Sequence, residues 1–189
     1  MGDVAMTVPA LRCLFKKYPD CKITLATKKA YRPIFREFQE INFYDVDFNN
    51  RHKGIKGLWT LFKELKKLKP THIADLHSVI RTHFLYFFFK INLFKIKRVD
   101  KQRAERKKLF RKKNKIFKPL TPVQFKYCEV FNKLGFNIDL TSHQFVDPFI
   151  INNETQQIIY EINNKLKWVG VAPFASFNGK TYPLDLMQQ

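Results

Sequence analysis

The feature that most restricts the fold is a repeated change of hydrophobic period. Val4, Val8, Leu11 and Phe15 recur at steps of four, three and four, which predicts a helix over 4–17. Pro9 implies either a kink or a helix that begins near Thr7. Lys22–Thr27 then reads as a strand, Tyr31–Phe38 as a short helix, and Phe43–Phe48 alternates like a second strand. A helix over 57–68 puts Leu58, Leu61, Phe62, Leu65 and Leu68 on one face. His72–Leu76 reads as a short buried strand, 78–90 as a helix, and 123–134 as a helix closed by Gly135, a residue suited to the left-handed cap. Strands alternating with helices predict an α/β fold with a parallel sheet of βαβ type.

The apolar content supports a packed core. Of 189 residues, 45% are hydrophobic and 15% aromatic, which excludes a disordered basic tail. The longest apolar run, Phe84–Phe89, is too short to cross a bilayer. Met1 is followed by Gly-Asp, unlike a secretory leader. Cys13, Cys21 and Cys128 have no paired spacing, so reduced thiols and a cytoplasmic location are expected. His52, His72, His83 and His143 have no metal-ligand spacing, and no metal is expected.

Charge is distributed unevenly. The net charge is +19, which calls for an anionic partner: nucleic acid, a membrane surface or a phosphorylated substrate. Residues 95–118 hold thirteen Lys/Arg against two acids, a net of +11. Residues 134–164 hold no Lys or Arg. A polar helix is expected over 152–164 and a buried strand over 168–174. This divides the chain into a domain over 1–150, a linking helix over 151–165, and the opening of a second domain over 166–189. Both ends look cut. No strand precedes the first helix, and a new helix begins at Leu184 just before the chain stops.

Four groups of residues have useful chemistry. Asp3 lies at the start of the first helix, where it suits either a helix cap or a general base at the carboxyl edge of a sheet. Residues 172–183 run from a strand through small residues, Ser176, Gly179 and Lys180 to a helix start, an arrangement that suits a diphosphate but lacks Walker A spacing. Asp75, His77 and Arg81 follow a strand and can face a cleft. On a helix, Arg103, Arg106 and Lys107 share one face and can hold phosphate or carboxylate.

In combination these segments resemble glycosyltransferase family 9, the lipopolysaccharide heptosyltransferases. GDVAMTVPALRCLFKKYPDCKITLAT resembles the family's opening, with Gly2, Asp3, Val4, Thr7, Pro9, Ala10 and Leu11 fitting its motif. ADLHSVIRT resembles a segment written Asp-x-Gln-Gly-Leu-x-[Arg/Lys]-[Ser/Thr], with His77 and Ser78 in place of Gln-Gly. KRVDKQRAERKKL resembles the arginine-bearing loop that faces the acceptor, and APFASFNGKTYPLDLMQ resembles the start of the C-terminal domain.

The resemblance implies a Rossmann-like parallel sheet, the N-terminal half of a GT-B fold of two Rossmann-like domains. It implies an inverting, metal-independent transfer of heptose from ADP-heptose to the lipopolysaccharide inner core, without a cofactor, at the cytoplasmic face of the inner membrane. Asp3 would be the general base, Ser176 and Lys180 would bind the donor diphosphate, and Arg81, Arg103 and Arg106 would hold the anionic acceptor. A chain of this extent is expected to be an inactive fragment. The alternatives are a basic nucleic-acid-binding α/β domain, which leaves the first and last motifs unexplained, and a non-catalytic remnant.

Overall fold

The computed structural model describes residues 1–143, 153, 174–175 and 177–187. The chain divides into two compact units, Met1–Phe145 and Val146–Gln189.

In the first unit, β1 (Ile23–Thr27) pairs in parallel with β2 (Ile41–Asp45), Ile23 opposite Ile41 and Thr27 opposite Asp45. β3 (His72–Asp75) pairs in parallel with β4 (Lys95–Arg98), His72 opposite Lys95 and Asp75 opposite Arg98. The helices are α1 (Gly2–Ala5), α2 (Val8–Lys17), α3 (Gly54–Lys67), α4 (Ile80–Ile91), α5 (Arg103–Leu109) and α6 (Val123–Leu134). Among the described residues the strands form two separate pairs. A single continuous sheet was the expectation. What joins the pairs is a shared apolar cluster: Ile23, Leu25 and Phe43 on one side and Ala74, Leu76 and Val99 on the other pack against the same buried core.

That core is built by α2 and α6. Ala10, Leu11 and Leu14 meet Tyr127, Val130, Phe131 and Leu134, with Phe35, Phe38 and Ile41 closing the cluster. Each large apolar side chain buried there contributes roughly 1.5–3 kcal/mol. A second cluster, Phe62, Phe89 and Ile96, joins α3, α4 and β4.

Several local expectations need correction. Of the two alternatives for Pro9, the helix that begins near Thr7 is the one found: the 4–17 segment breaks at Met6–Thr7, the Thr7 hydroxyl donates to the Val4 carbonyl at 2.7 Å, and Pro9 sits in the first turn of α2, where a missing N–H costs nothing. The helix expected over 31–38 is a 3-10 segment, Lys29–Phe35, with Pro33 inside it, which cannot sustain an α ladder. The strand expected over 43–48 is β2, which starts two residues earlier and ends three earlier. Asp47 Oδ1 accepts from the N–H groups of Asn49 and Asn50 and turns the chain away. The helix expected from Gly57 begins at Gly54, and the helix expected from Ser78 begins at Ile80. β4 was not expected at all, because Lys-Ile-Lys-Arg has one apolar residue and its strand form comes from pairing with β3. α6 has the expected bounds, and Gly135 adopts φ +104 in its cap.

In the second unit, Asn178–Lys180 forms a 3-10 turn and α7 spans Leu184–Met187. The expected helix over 152–164 and strand over 168–174 fall almost wholly outside the described residues, and so does Ser176.

Candidate functional site

The carboxyl ends of β3 and β4 are shaped by carboxylates that turn the chain. Asp75, the last residue of β3, accepts the N–H groups of His77 and Ser78 on Oδ1 at 3.0 and 2.9 Å. This holds Ser78 at φ +45, a left-handed conformation that favours glycine. It is the position where the resembled motif carries glycine. Asp75 Oδ2 is buried and has no hydrogen-bond partner among the described residues. The turn after β4 follows the same logic. Asp100 accepts from the Gln102 N–H at 2.8 Å, and Gln102 takes φ +46. The Gln102 side-chain oxygen accepts from the Thr121 N–H at 3.2 Å, fixing the start of α5.

These two turns bring Arg103 onto the β3 loop, where its Nη2 donates to the Ser78 carbonyl at 3.3 Å. Arg81, exposed in the first turn of α4, lies 4.5 Å above the ring of Phe48. The ring quadrupole attracts the cation at that distance without using its hydrogen-bonding capacity, which leaves N–H groups for an anion. Asp3 reaches the same place from α1. Its backbone carbonyl accepts from the buried Tyr127 hydroxyl at 3.2 Å, which ties α1 to α6. Met1, not Asp3, occupies the cap position of α1, and no side chain caps that helix. The exposed Asp3 carboxylate has no hydrogen bond among the described residues.

His77 stands among these charges. Burial and the nearby Lys101 push its imidazole below the ordinary value, Asp3 and Asp75 pull it back up, and Arg81 lowers it again. The Tyr127 phenol is pushed up to about 12 by burial and by the Asp3 charge. Asp3, Arg81 and Arg103 therefore gather around the 75–78 loop. Arg106 does not share that contact; it lies exposed one turn further along α5. Lys180 belongs to the second unit, where it is exposed with its Nζ 5.7 Å from the Phe177 ring centroid. The Ala175 N–H donates to Thr181 Oγ1 at 3.3 Å and closes that loop.

Phe48 and Tyr127 escaped the sequence reading. Phe48 had no local signal, since its partner Arg81 is 33 residues away. Tyr127 had a weak one: a polar-tipped aromatic at a core position of α6 needs a partner for its hydroxyl.

The loop that carries Phe48 is pinned by a polar cluster. His52, almost fully buried, accepts the Asp47 N–H on Nδ1 at 3.0 Å, so its ring proton sits on Nε2 and faces Glu64 Oε2 at 2.9 Å. Tyr44 and Arg51 also bond the Glu64 carboxylate. Burial alone would raise the Glu64 pKa, but hydrogen bonds from Tyr44, His52 and Arg51 outweigh it and hold the group below its usual 4.5. Tyr44 is pushed up to about 12 by burial and by the same carboxylate.

A carboxyl whose pKa is lowered on folding adds stability above the unfolded value, and that stability is lost as pH falls through the folded value. Urea unfolding followed downward from neutral pH should therefore lose stability more steeply below about 4.5 in the wild type than in Glu64→Gln. Equal slopes would show that the cluster does not hold Glu64 ionised.

No family model matches the chain, and no curated protein matches it in sequence. Among solved structures, it is similar to the crystal structure of the glycosyl transferase family 9 from Veillonella parvula DSM 2008. The TM-score is 0.68 at 20% identity, and the match covers 99% of this chain and 55% of that one. The chain thus spans about half the length of that structure. Over the part it covers, this chain has the α/β, Rossmann-like GT-B fold of that structure.

Proposed function

We propose that this chain carries the acceptor side of a family 9 glycosyltransferase that moves heptose from ADP-heptose to the anionic lipopolysaccharide core. The transfer is inverting and needs no metal. The supporting observation is the gathering of Asp3, Arg81 and Arg103 around the loop that leaves the carboxyl end of β3. In open α/β sheets that edge is where ligands sit.

In this reading Asp3 takes the proton of the acceptor hydroxyl as that oxygen attacks the anomeric carbon. Attack comes from the face opposite the diphosphate. A carboxylate is a weak base, so proton transfer accompanies the build-up of oxocarbenium character rather than preceding it. Arg81 and Arg103 hold the acidic groups of the acceptor, and Arg106 extends that surface along α5. Lys180, with Ser176, neutralises the departing ADP in place of a metal. The acceptor is lipid-anchored, so the reading places the protein at the cytoplasmic face of the inner membrane.

Titration calorimetry with a phosphorylated core oligosaccharide tests the acceptor role. Arg103→Ala and Arg81→Ala should each weaken binding about tenfold, the loss of one charge-assisted hydrogen bond of roughly 1.5 kcal/mol. Unchanged affinity in both variants would sink the assignment. Salt-dependent binding to random duplex DNA, with none to the oligosaccharide, would favour a nucleic-acid-binding domain instead.

A further inference from the structure

α4 is amphipathic the wrong way round for a helix that only packs on a core. Ile80, Phe84, Phe87 and Ile91 follow steps of four, three and four, and they are 74, 38, 57 and 61% exposed. α3 adds Ile55 and Trp59, four residues apart and also exposed. The Trp59 ring meets Phe88 edge-on at 4.9 Å, so the two helices present one continuous apolar face. Leu93 extends it. That residue closes α4 at φ +61, where glycine is favoured, and its side chain is 92% exposed. Monomers rarely expose an apolar surface of this extent without a use for it.

The rim of this face is basic. Lys63 lies 5.6 Å from the Trp59 ring centroid and Lys90 5.9 Å from that of Tyr86. Lys66 donates to Asn92 Oδ1 at 2.8 Å, and Arg98 lies 4.9 Å from the Tyr86 ring. α4 contains no acidic residue, and the single acid of α3, Glu64, is engaged by His52, Arg51 and Tyr44.

We infer that the outer faces of α3 and α4 dock on an anionic lipid bilayer, with the apolar stripe at the acyl boundary and the lysine rim among the headgroups. Charge decides the occupant. A second copy would bring two basic rims together, whereas anionic headgroups complement the rim while acyl chains cover the stripe. α4 is twelve residues, roughly 18 Å long against a hydrocarbon core of about 30 Å. Among the described residues no helix is long and apolar enough to cross a membrane. The helix therefore lies in the membrane plane. The inference rests on the membrane location in the proposed function and names the surface that would make that contact; its test needs neither donor nor acceptor, so it can fail while the transferase reading stands.

The probe is co-sedimentation of the 189-residue chain with vesicles of phosphatidylcholine alone or mixed with phosphatidylglycerol. Binding is expected to the mixed vesicles, and added salt should weaken it. The double variant Phe84→Ser/Phe87→Ser should lose at least tenfold in affinity with its melting temperature kept, since both rings lie on the outer face. Leu93→Gly guards against a folding artefact: it relieves the left-handed strain, so it should be at least as stable as the wild type yet bind more weakly. Three results would overturn the inference. One is no binding to mixed vesicles. Another is wild-type affinity in the double variant. The third is a wild-type dimer in ultracentrifugation that the double variant splits, which would give this face to a second copy.

Discussion

On the proposed function, in which Asp3 is the general base, Asp3→Ala should lower the turnover number for transfer from ADP-heptose by about 10²–10⁴-fold, the usual contribution of a positioned base. The assay is run on a form of the protein that turns the donor over. KM values for donor and acceptor should change little, because the carboxylate acts on the hydroxyl proton rather than on the groups that anchor either substrate. Asp3→Asn sharpens the test. It keeps the shape and hydrogen-bonding reach of the side chain and removes its basicity, so it should be nearly as inactive as the alanine variant. Stability should hardly move in either variant. The side chain is exposed and unbonded among the described residues, and the link from Tyr127 goes to the backbone carbonyl of Asp3. Near-normal turnover in Asp3→Asn would remove Asp3 from the chemistry and leave the base to be found elsewhere around the 75–78 loop.

Gly57→Ala is expected to have the largest effect on stability. By helix propensity alone the change should help by about 1 kcal/mol, since Gly57 lies within α3. Packing reverses the sign. A Cβ at Gly57 would stand 2.3 Å from the backbone carbon of His52 and 2.7 Å from its Cα. Backbone cannot step aside as a flexible side chain can, so either α3 or the 47–52 loop must move. Overpacking costs of 1–3 kcal/mol or more are usual, and a backbone clash belongs at the upper end, giving a net loss of about 3 kcal/mol. For a chain of this size that corresponds to a melting temperature lower by roughly 6–12 °C. The same displacement reaches the candidate site, because the 47–52 loop carries Phe48 and Phe48 supports Arg81. Acceptor affinity should therefore weaken in whatever folded protein remains. A variant as stable as the wild type would show that α3 does not lie against His52.

Much of the first unit was legible because its elements are locally determined. α6 has the expected bounds because its apolar period and Gly135 are both local signals. β1 and β3 were legible for the same reason: each short apolar run is bounded by turn residues. The misreadings have two causes, a ladder partner elsewhere in the chain and local side-chain and proline constraints that an apolar period does not record. β4 exists because β3 offers it a ladder. β2 ends where it does because Asp47 captures two N–H groups, although the alternation of apolar residues runs on past it.

The candidate site divides in the same way. Asp3, Arg81 and Arg103 could be named in advance, because carboxylates and guanidinium groups at predicted element ends stand out by residue type. Their neighbours could not. His77 feels the charges of Asp3, Asp75, Arg81 and Lys101, which come from three separate stretches of chain. Tyr127 holds α1 across 124 residues of separation.

By itself, the sequence determined the α/β class, the approximate placement of the main helices, and the concentration of positive charge after residue 95. Periodicity and charge are properties of neighbouring residues. Only the tertiary structure decided that the strands form two parallel pairs, that Asp3 and Arg103 meet at one loop, and that the aromatic face of α4 points outward. Each of those depends on which distant segments pack together. Burial and ladder hydrogen bonds, not local preference, select among the packings that one hydrophobic pattern allows.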